Sequence, residues 1–247
     1  MERSLIILLL LALFAPQHIK AQNDDFGMWY ELGAEKKLTK KWSVGVESEF
    51  RTRNNSRTAD RWSAGVGAEY KIVKGVKASA GYTFLYDNNM EEMDWKRDGI
   101  TPNKWTPSYW GVRHRFNVSL SGNYDWGRMN ISLRERWQYT YRPEAEGKKY
   151  DFDYETWKNI KSKSKNVLRS RLQVSYDFPH WKFDPFANVE FFNGKTLEKT
   201  RIQAGVEYKY QKKHIFTLTY RYQNVNAEDD DLETNRHLIG IGYKYKF

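Results

Sequence analysis

The chain has 247 residues, 41 Lys and Arg against 31 Asp and Glu, a formal net charge of +10 and no cysteine. Without cysteine there is no disulfide framework and no thiolate metal site. Its positive and negative residues are interleaved rather than blocked, so the basic balance lacks the clustered footprint that a nucleic-acid partner requires.

In chain order, the first feature is Arg3 followed by an apolar run from Leu5 to Phe14 and the small residue of Ile19-Lys20-Ala21. That pattern predicts a signal peptide over 1–21, with cleavage before Gln22. The run is shorter than the roughly 20 apolar residues of a spanning helix, and no later stretch approaches that length. From Phe26 onward the chain is a series of alternating segments, each near the length of a tilted membrane strand. The first places Phe26, Met28, Tyr30, Leu32 and Ala34 on one face, and the next Trp42, Val44, Val46 and Phe50. The alternation recurs through Trp62 to Ile72, Val76 to Tyr86, Val112 to Tyr124, Met129 to Tyr141, Leu168 to Phe178, Phe183 to Phe191, Ile202 to Tyr210 and Phe216 to Tyr222. The last segment carries Ile239, Ile241, Tyr243, Tyr245 and Phe247 on its apolar face, and Gly240, Gly242, Lys244 and Lys246 on the other. Its Tyr243, Tyr245 and Phe247 form a C-terminal assembly signal for barrel-assembly machinery.

Connections alternate in length. Tight turns are expected at 74–75, 125–127, 179–182 and 211–213, and longer loops at 54–60, 87–110, 142–165, 193–199 and 224–235. This predicts one all-β domain over 22–247, an antiparallel transmembrane up-and-down β-barrel of about 10–12 strands with short periplasmic turns and longer extracellular loops. Eleven segments are countable, whereas a single-chain bacterial barrel is expected to have an even number. Either the first segment falls short of spanning or one strand is missed. Aromatic residues at 16% suit interfacial girdles.

The polar face carries Glu47, Glu49, Arg51, Arg113, Arg115, Arg134, Arg136, Arg169, Arg171, Glu190, Arg201 and Glu207, with Gly45, Gly65, Gly67, Gly81 and Gly205 between them. Long opposed charges separated by small residues fit a barrel interior filled by cross-strand pairs. The arginines also form a lumenal ladder that could attract anions.

The segments Phe26-Gly27-Met28-Trp29-Tyr30, Glu35-Lys36-Lys37-Leu38, Glu47-Ser48-Glu49-Phe50-Arg51 and Leu133-Arg134-Glu135-Arg136-Trp137-Gln138-Tyr139 resemble the DUF2490 family of outer-membrane proteins. The resemblance spans nearly the whole chain after the leader. It implies an outer-membrane β-barrel and brings no catalytic residues with it.

Candidate chemistry is sparse. A hydrolytic site needs a nucleophile beside a base, and on a strand His-x-Ser would place both on one face; no such pair occurs. By parity His114 and Glu135 both fall on the apolar face of adjacent segments, roughly opposite or diagonal, as a base and its orienting carboxylate or as a neutralised pair. No Ser, Thr or Lys on that face is an obvious nucleophile. Glu228-Asp229-Asp230-Asp231-Leu232-Glu233 could bind a divalent cation but lacks an EF-hand spacing. The aromatic and basic loop from Trp95 to Trp110 could stack on sugars, contact lipopolysaccharide or fold back as a plug, and 157–165 reads as a hydrated loop. No motif implies a metal or cofactor. The expected partners are outer-membrane lipid and lipopolysaccharide. Three functions stay open: a narrow pore or structural envelope component, an outer-membrane enzyme acting on lipid or lipopolysaccharide, and a soluble periplasmic β-barrel with a hydrophobic ligand inside.

Overall fold

The structure, a computed structural model, describes residues 24–226 and 234–247. The expected leader and the acidic loop from Glu228 to Glu233 lie outside the described residues. In chain order the strands are β1 (Asp25–Lys37), β2 (Trp42–Arg53), β3 (Thr58–Val73), β4 (Val76–Asn89), β5 (Glu92–Trp95), β6 (Pro102–Thr106), β7 (Tyr109–Trp126), β8 (Met129–Arg142), β9 (Ala145–Asp151), β10 (Thr156–Ile160), β11 (Lys163–Tyr176), β12 (Phe183–Asn193), β13 (Leu197–Tyr210), β14 (His214–Val225) and β15 (Arg236–Lys246). Eleven of them close into a barrel in the order β1-β15-β14-β13-β12-β11-β8-β7-β4-β3-β2. Closure pairs every wall strand on both sides and leaves no sheet edge in the wall.

The strand number falls within the expected range but is odd. β1 is a full strand of 13 residues, and among the described residues the closed wall holds no further strand. An odd meander brings its first and last strands together in the same direction, so β1 pairs β15 in parallel, from Asp25 opposite Arg236 to Glu35 opposite Lys246. All other wall neighbours are antiparallel.

One end of the barrel carries the connections 38–41, 74–75, 127–128, 177–182 and 211–213 together with Phe247. Gly75 shows why such turns need their residue: it has φ +83°, and a Cβ there would lie 2.8 Å from the Asn123 carbonyl oxygen. The other end carries the start of β1 and the longer excursions. Two of the loops expected there are short instead. Residues 54–57 form a tight turn with Asn54, Asn55 and Ser56 all at positive φ, and only 194–196 separate β12 from β13. The remaining length is itself structured: β5-β6 and β9-β10 are hairpins that join as a four-stranded sheet in the order β10-β9-β6-β5. Residues 157–160 are therefore strand, and Lys163 and Lys165 begin a wall strand instead of a hydrated loop. The stretch from Trp95 to Trp110 builds this sheet and the start of β7, so it does not plug the lumen.

The side chains follow the alternation. Leu32, Val46, Val66, Val118, Leu133, Leu172, Ile202 and Leu218 are exposed on the outer wall. They form a continuous apolar belt between two aromatic rings. Tyr30, Phe50 and Trp62 are in ring contact at the long-loop end, and Trp42 with Tyr70, and Tyr243 with Phe216, at the tight-turn end. Trp42 and Phe50 are eight residues apart on β2, which at ~3.3 Å per residue and a ~40° tilt gives a belt roughly 20 Å tall, close to a membrane barrel's. The interior is charged, the reverse of what a soluble barrel with an internal hydrophobic ligand requires.

Candidate functional site

The lumen is where the charged positions converge. Register places Arg136 of β8 opposite Arg169 of β11, and Arg171 opposite both Arg134 of β8 and Glu190 of β12. Like charges at such spacing repel unless a carboxylate sits among them. Glu190, 3% exposed, supplies it: Arg134 approaches at 2.6 Å, Arg169 at 2.9 Å and Arg201 at 3.6 Å. Arg169 also donates to Gln138 at 3.0 Å, and Arg136 to the Ser119 hydroxyl at 2.9 Å. One buried carboxylate thus organises guanidiniums from three strands, and Arg201 has a further acceptor in Gln223 at 2.9 Å.

A second cluster lies near the long-loop mouth. Asp87 of β4 receives Arg61 of β3 in a bidentate pair and Arg113 of β7 at 3.1 Å. Arg236 contacts Asp60 at 2.9 Å and Asp25 at 3.4 Å, and Arg53 contacts Asp60 at 3.3 Å, which ties β1, β2, β3 and β15 together at the seam. Glu49 pairs Arg51 within β2 at 2.6 Å. Of the expected ladder, Glu47 lines the lumen beside Gly65. Glu207 contacts Lys209 at 3.1 Å at the tight-turn end, away from the arginine cluster. Arg115 and Arg171 face the lumen with buried Nε atoms that find no acceptor among the described residues.

Sequence reasoning overlooked Trp29. It shares the parity of Gly27 and Glu31, and the structure turns it inward, 6% exposed. The guanidinium carbons of Arg51, Arg221 and Arg201 lie over its ring at 3.4, 4.0 and 5.1 Å from the centroid. A ring carrying a negative face can accept cations in this way where carboxylates are scarce. Its parity in β1 was the available signal. Asp87 and Asp60 fall in stretches whose composition suits loops, yet the structure places them in β4 and β3.

Three cavities succeed one another along the axis. The one at the tight-turn end has a volume of about 660 Å³ and is lined by six Lys and Arg and six Glu. The central one, about 270 Å³, is lined by eleven Lys and Arg and three Glu. The third, about 370 Å³, lies between the barrel mouth and the four-stranded sheet. Glu47, Glu49 and Arg136 line both of the first two and form the partition between them, while Arg61, Arg113 and Arg142 line the second and third.

On the outer wall, the expected pairing of His114 with Glu135 does not occur. His114 is opposite Tyr141 and Glu135 is opposite Leu120. Six residues of strand separate those levels, roughly 20 Å. The reason is the turn at 127–128, which reflects each β7 residue about its centre. His114 bonds instead to the Tyr82 hydroxyl at 2.8 Å, and the Ser170 hydroxyl donates to Glu135 at 2.6 Å. Ser170 is thus a hydroxyl on that face which the sequence reading did not see, and its partner is a carboxylate with no imidazole beside it. His214 with Tyr243, and His237 with Tyr220, repeat the His–Tyr arrangement. No group of three or more His, Cys, Asp or Glu among the described residues has metal-holding geometry.

The chain is similar in fold to the NanC porin, with a TM-score of 0.51 at 14% identity over 90% of this chain and 99% of that one. It also aligns with the β domain of the Bordetella autotransporter Brka, with a TM-score of 0.49 at 12% identity over 82% and 79% of the two chains. The translocator domain of autotransporter NalP from Neisseria meningitidis gives a TM-score of 0.49 at 11% identity over 77% and 71%. No curated protein sequence matches. The family described as "Protein of unknown function (DUF2490)" matches residues 26–234, and the chain belongs to that family.

Proposed function

We propose that the protein is an outer-membrane β-barrel acting as a narrow, anion-preferring pore, with the tight turns in the periplasm and the four-stranded sheet outside the cell. The girdled apolar belt supports the location, because a soluble barrel would leave that surface against water. The observation that carries the pore reading is the charge of the central cavity, where Lys and Arg outnumber Glu eleven to three among the described residues. A narrow, low-dielectric passage lined by one sign of charge concentrates the opposite ion. The partition at Glu47, Glu49 and Arg136 consists of side chains, so the route is constricted without a backbone plug.

The test is single-channel recording of the full mature chain in planar bilayers under a KCl gradient, beside an Arg115→Gln, Arg142→Gln variant. Neither arginine forms an ion pair among the described residues, so neutralising them leaves no carboxylate stranded. A reversal potential of anion-selective sign that moves toward the cation side in the variant supports the reading. Silence from folded, heat-modifiable protein overturns it.

A further inference from the structure

The four-stranded sheet is an upward continuation of the barrel wall. Its order β5, β6, β9, β10 reproduces the order β4, β7, β8, β11 of the wall strands that give rise to it. It also keeps their sidedness. Asp94, Lys104, Lys149 and Lys158 face the barrel mouth, where Lys149 pairs Asp94 at 3.1 Å and Lys158 pairs Asp151 at 2.8 Å. The opposite face continues the outer wall, and register lines up Met93, Trp105, Tyr150 and Trp157 straight across it. Trp105 and Trp157 have centroids 6.0 Å apart, and Tyr150 meets Trp157 edge-on at 5.4 Å. Glu91 fixes the Trp105 ring by accepting its indole N–H at 2.6 Å. Trp95 and Trp157 are nevertheless about half exposed, at 52% and 49%.

Height decides what covers this face. Trp110, stacked on Tyr86 at 4.9 Å, belongs to the upper aromatic girdle where the hydrocarbon ends. Trp105 lies five residues earlier in the chain, which places the ladder roughly 10–15 Å above the girdle once strand tilt is allowed for. Phospholipid headgroups reach only about 5–8 Å beyond the hydrocarbon on each side. A preorganised row of rings at this level is too high for acyl chains, yet it is continuous with the surface that acyl chains cover. We propose that this face is a docking platform for the sugar headgroup of an outer-leaflet glycolipid, whose rings stack on Trp105, Tyr150 and Trp157 while its acyl chains lie along the belt below. Lys148, exposed on the same side of β9 as Tyr150, is placed to meet phosphate or carboxylate groups on those sugars. The inference rests on the outer-membrane reading and is independent of conduction.

The experiment titrates the full mature chain in detergent with three probes: deep-rough lipopolysaccharide carrying inner-core sugars, lipid A alone, and the free core oligosaccharide. It is repeated on Trp105→Ala, Trp157→Ala protein and on a Trp157→Phe control that retains a ring. The expected result is tighter binding of the lipopolysaccharide than of either fragment, weakened by about tenfold in the double variant. Trp157→Phe is expected to stay near wild type, and heat-modifiable migration to be unchanged in all three proteins. Equal affinity for lipid A alone, or for the free oligosaccharide, overturns the proposal. So does a wild-type dimer that the double variant abolishes, since the face would then be an interface between copies. Fractionation away from the outer membrane would remove the underlying location, and lost conductance would remove only the pore.

Discussion

Arg51 sets its guanidinium carbon 3.4 Å from the centre of the Trp29 ring, inside a barrel whose other aromatic side chains mostly face out. The contact joins β1 to β2 across their paired positions and narrows the central cavity from one side. Trp29→Ala is expected to cost about 3–5 kcal/mol of stability, the usual range for deleting a buried Trp. In the same preparation it widens the central cavity, so single-channel conductance should rise while anion preference persists. Unchanged conductance would show that the narrowest point lies elsewhere.

Glu190 accepts hydrogen bonds from Arg134 and Arg169 and pairs ionically with Arg201. Glu190→Gln leaves three close guanidiniums without their common carboxylate and should destabilise the barrel by roughly 3–5 kcal/mol. Urea unfolding monitored by tryptophan emission reads the loss. The reversal potential of any folded fraction should become more anion-selective.

Glu135 carries the opposite expectation. It sits on the apolar belt with Leu120 and Ser170 on either side, where a carboxylate is costly and its hydrogen bond from Ser170 offsets only part of that. Glu135→Leu should stabilise the protein by about 1–2 kcal/mol in denaturant titration. A variant that instead folds normally and loses lipid hydrolysis would favour the enzyme reading.

The chain's lack of cysteine makes its topology directly testable. Single replacements Arg57→Cys and Ile100→Cys should react with a membrane-impermeant maleimide on intact cells. Lys40→Cys and Lys74→Cys should react only after permeabilisation. The reverse pattern would invert the orientation.

At the tip of the β5-β6 hairpin, the Thr101 hydroxyl and the amides of Thr101 and Ile100 donate to Asp98 and hold its carboxyl down at about 2. A depressed carboxylate stabilises fully above its unfolded value of ~3.9 and loses that contribution as pH falls through the folded one. Amide protection at Ile100 and Thr101 should therefore persist at pH 4 and collapse toward pH 2. Asp98→Ala should lack the protection throughout.

The faces of every wall strand were legible in the sequence, because alternation is a property of each strand by itself. Arg134, Arg169, Arg201 and Glu190 could be assigned to the interior without knowing their neighbours. Pairing needs the position of the turn as well, and His114 with Glu135 failed there: a turn at 127–128 puts His114 level with Tyr141. Trp29 was hidden for a different reason, since an indole on a polar face looks like an exception until Arg51 and Arg221 supply its partners. The hairpins β5-β6 and β9-β10 are strands of four to seven residues, too short for their alternation to stand out from loop composition.

The parallel seam between β1 and β15 has a kinetic consequence. Most antiparallel neighbours in the wall follow one another through a short connection that sets their register, and β4–β7 and β8–β11 through an excursion of about twenty residues, but Asp25 and Arg236 meet across nearly the whole length of the chain. Loop-closure entropy makes such a pairing the late step of assembly, and nothing in a turn prevents a slip by two residues. The ion pairs of Arg236 with Asp25 and Asp60, of Arg221 with Glu31 and of Lys244 with Glu35 are spaced along the seam from one rim to the other. They act as a set of keys that only one alignment of the two strands satisfies together, so the charges nearest the seam select the closed state from its out-of-register competitors.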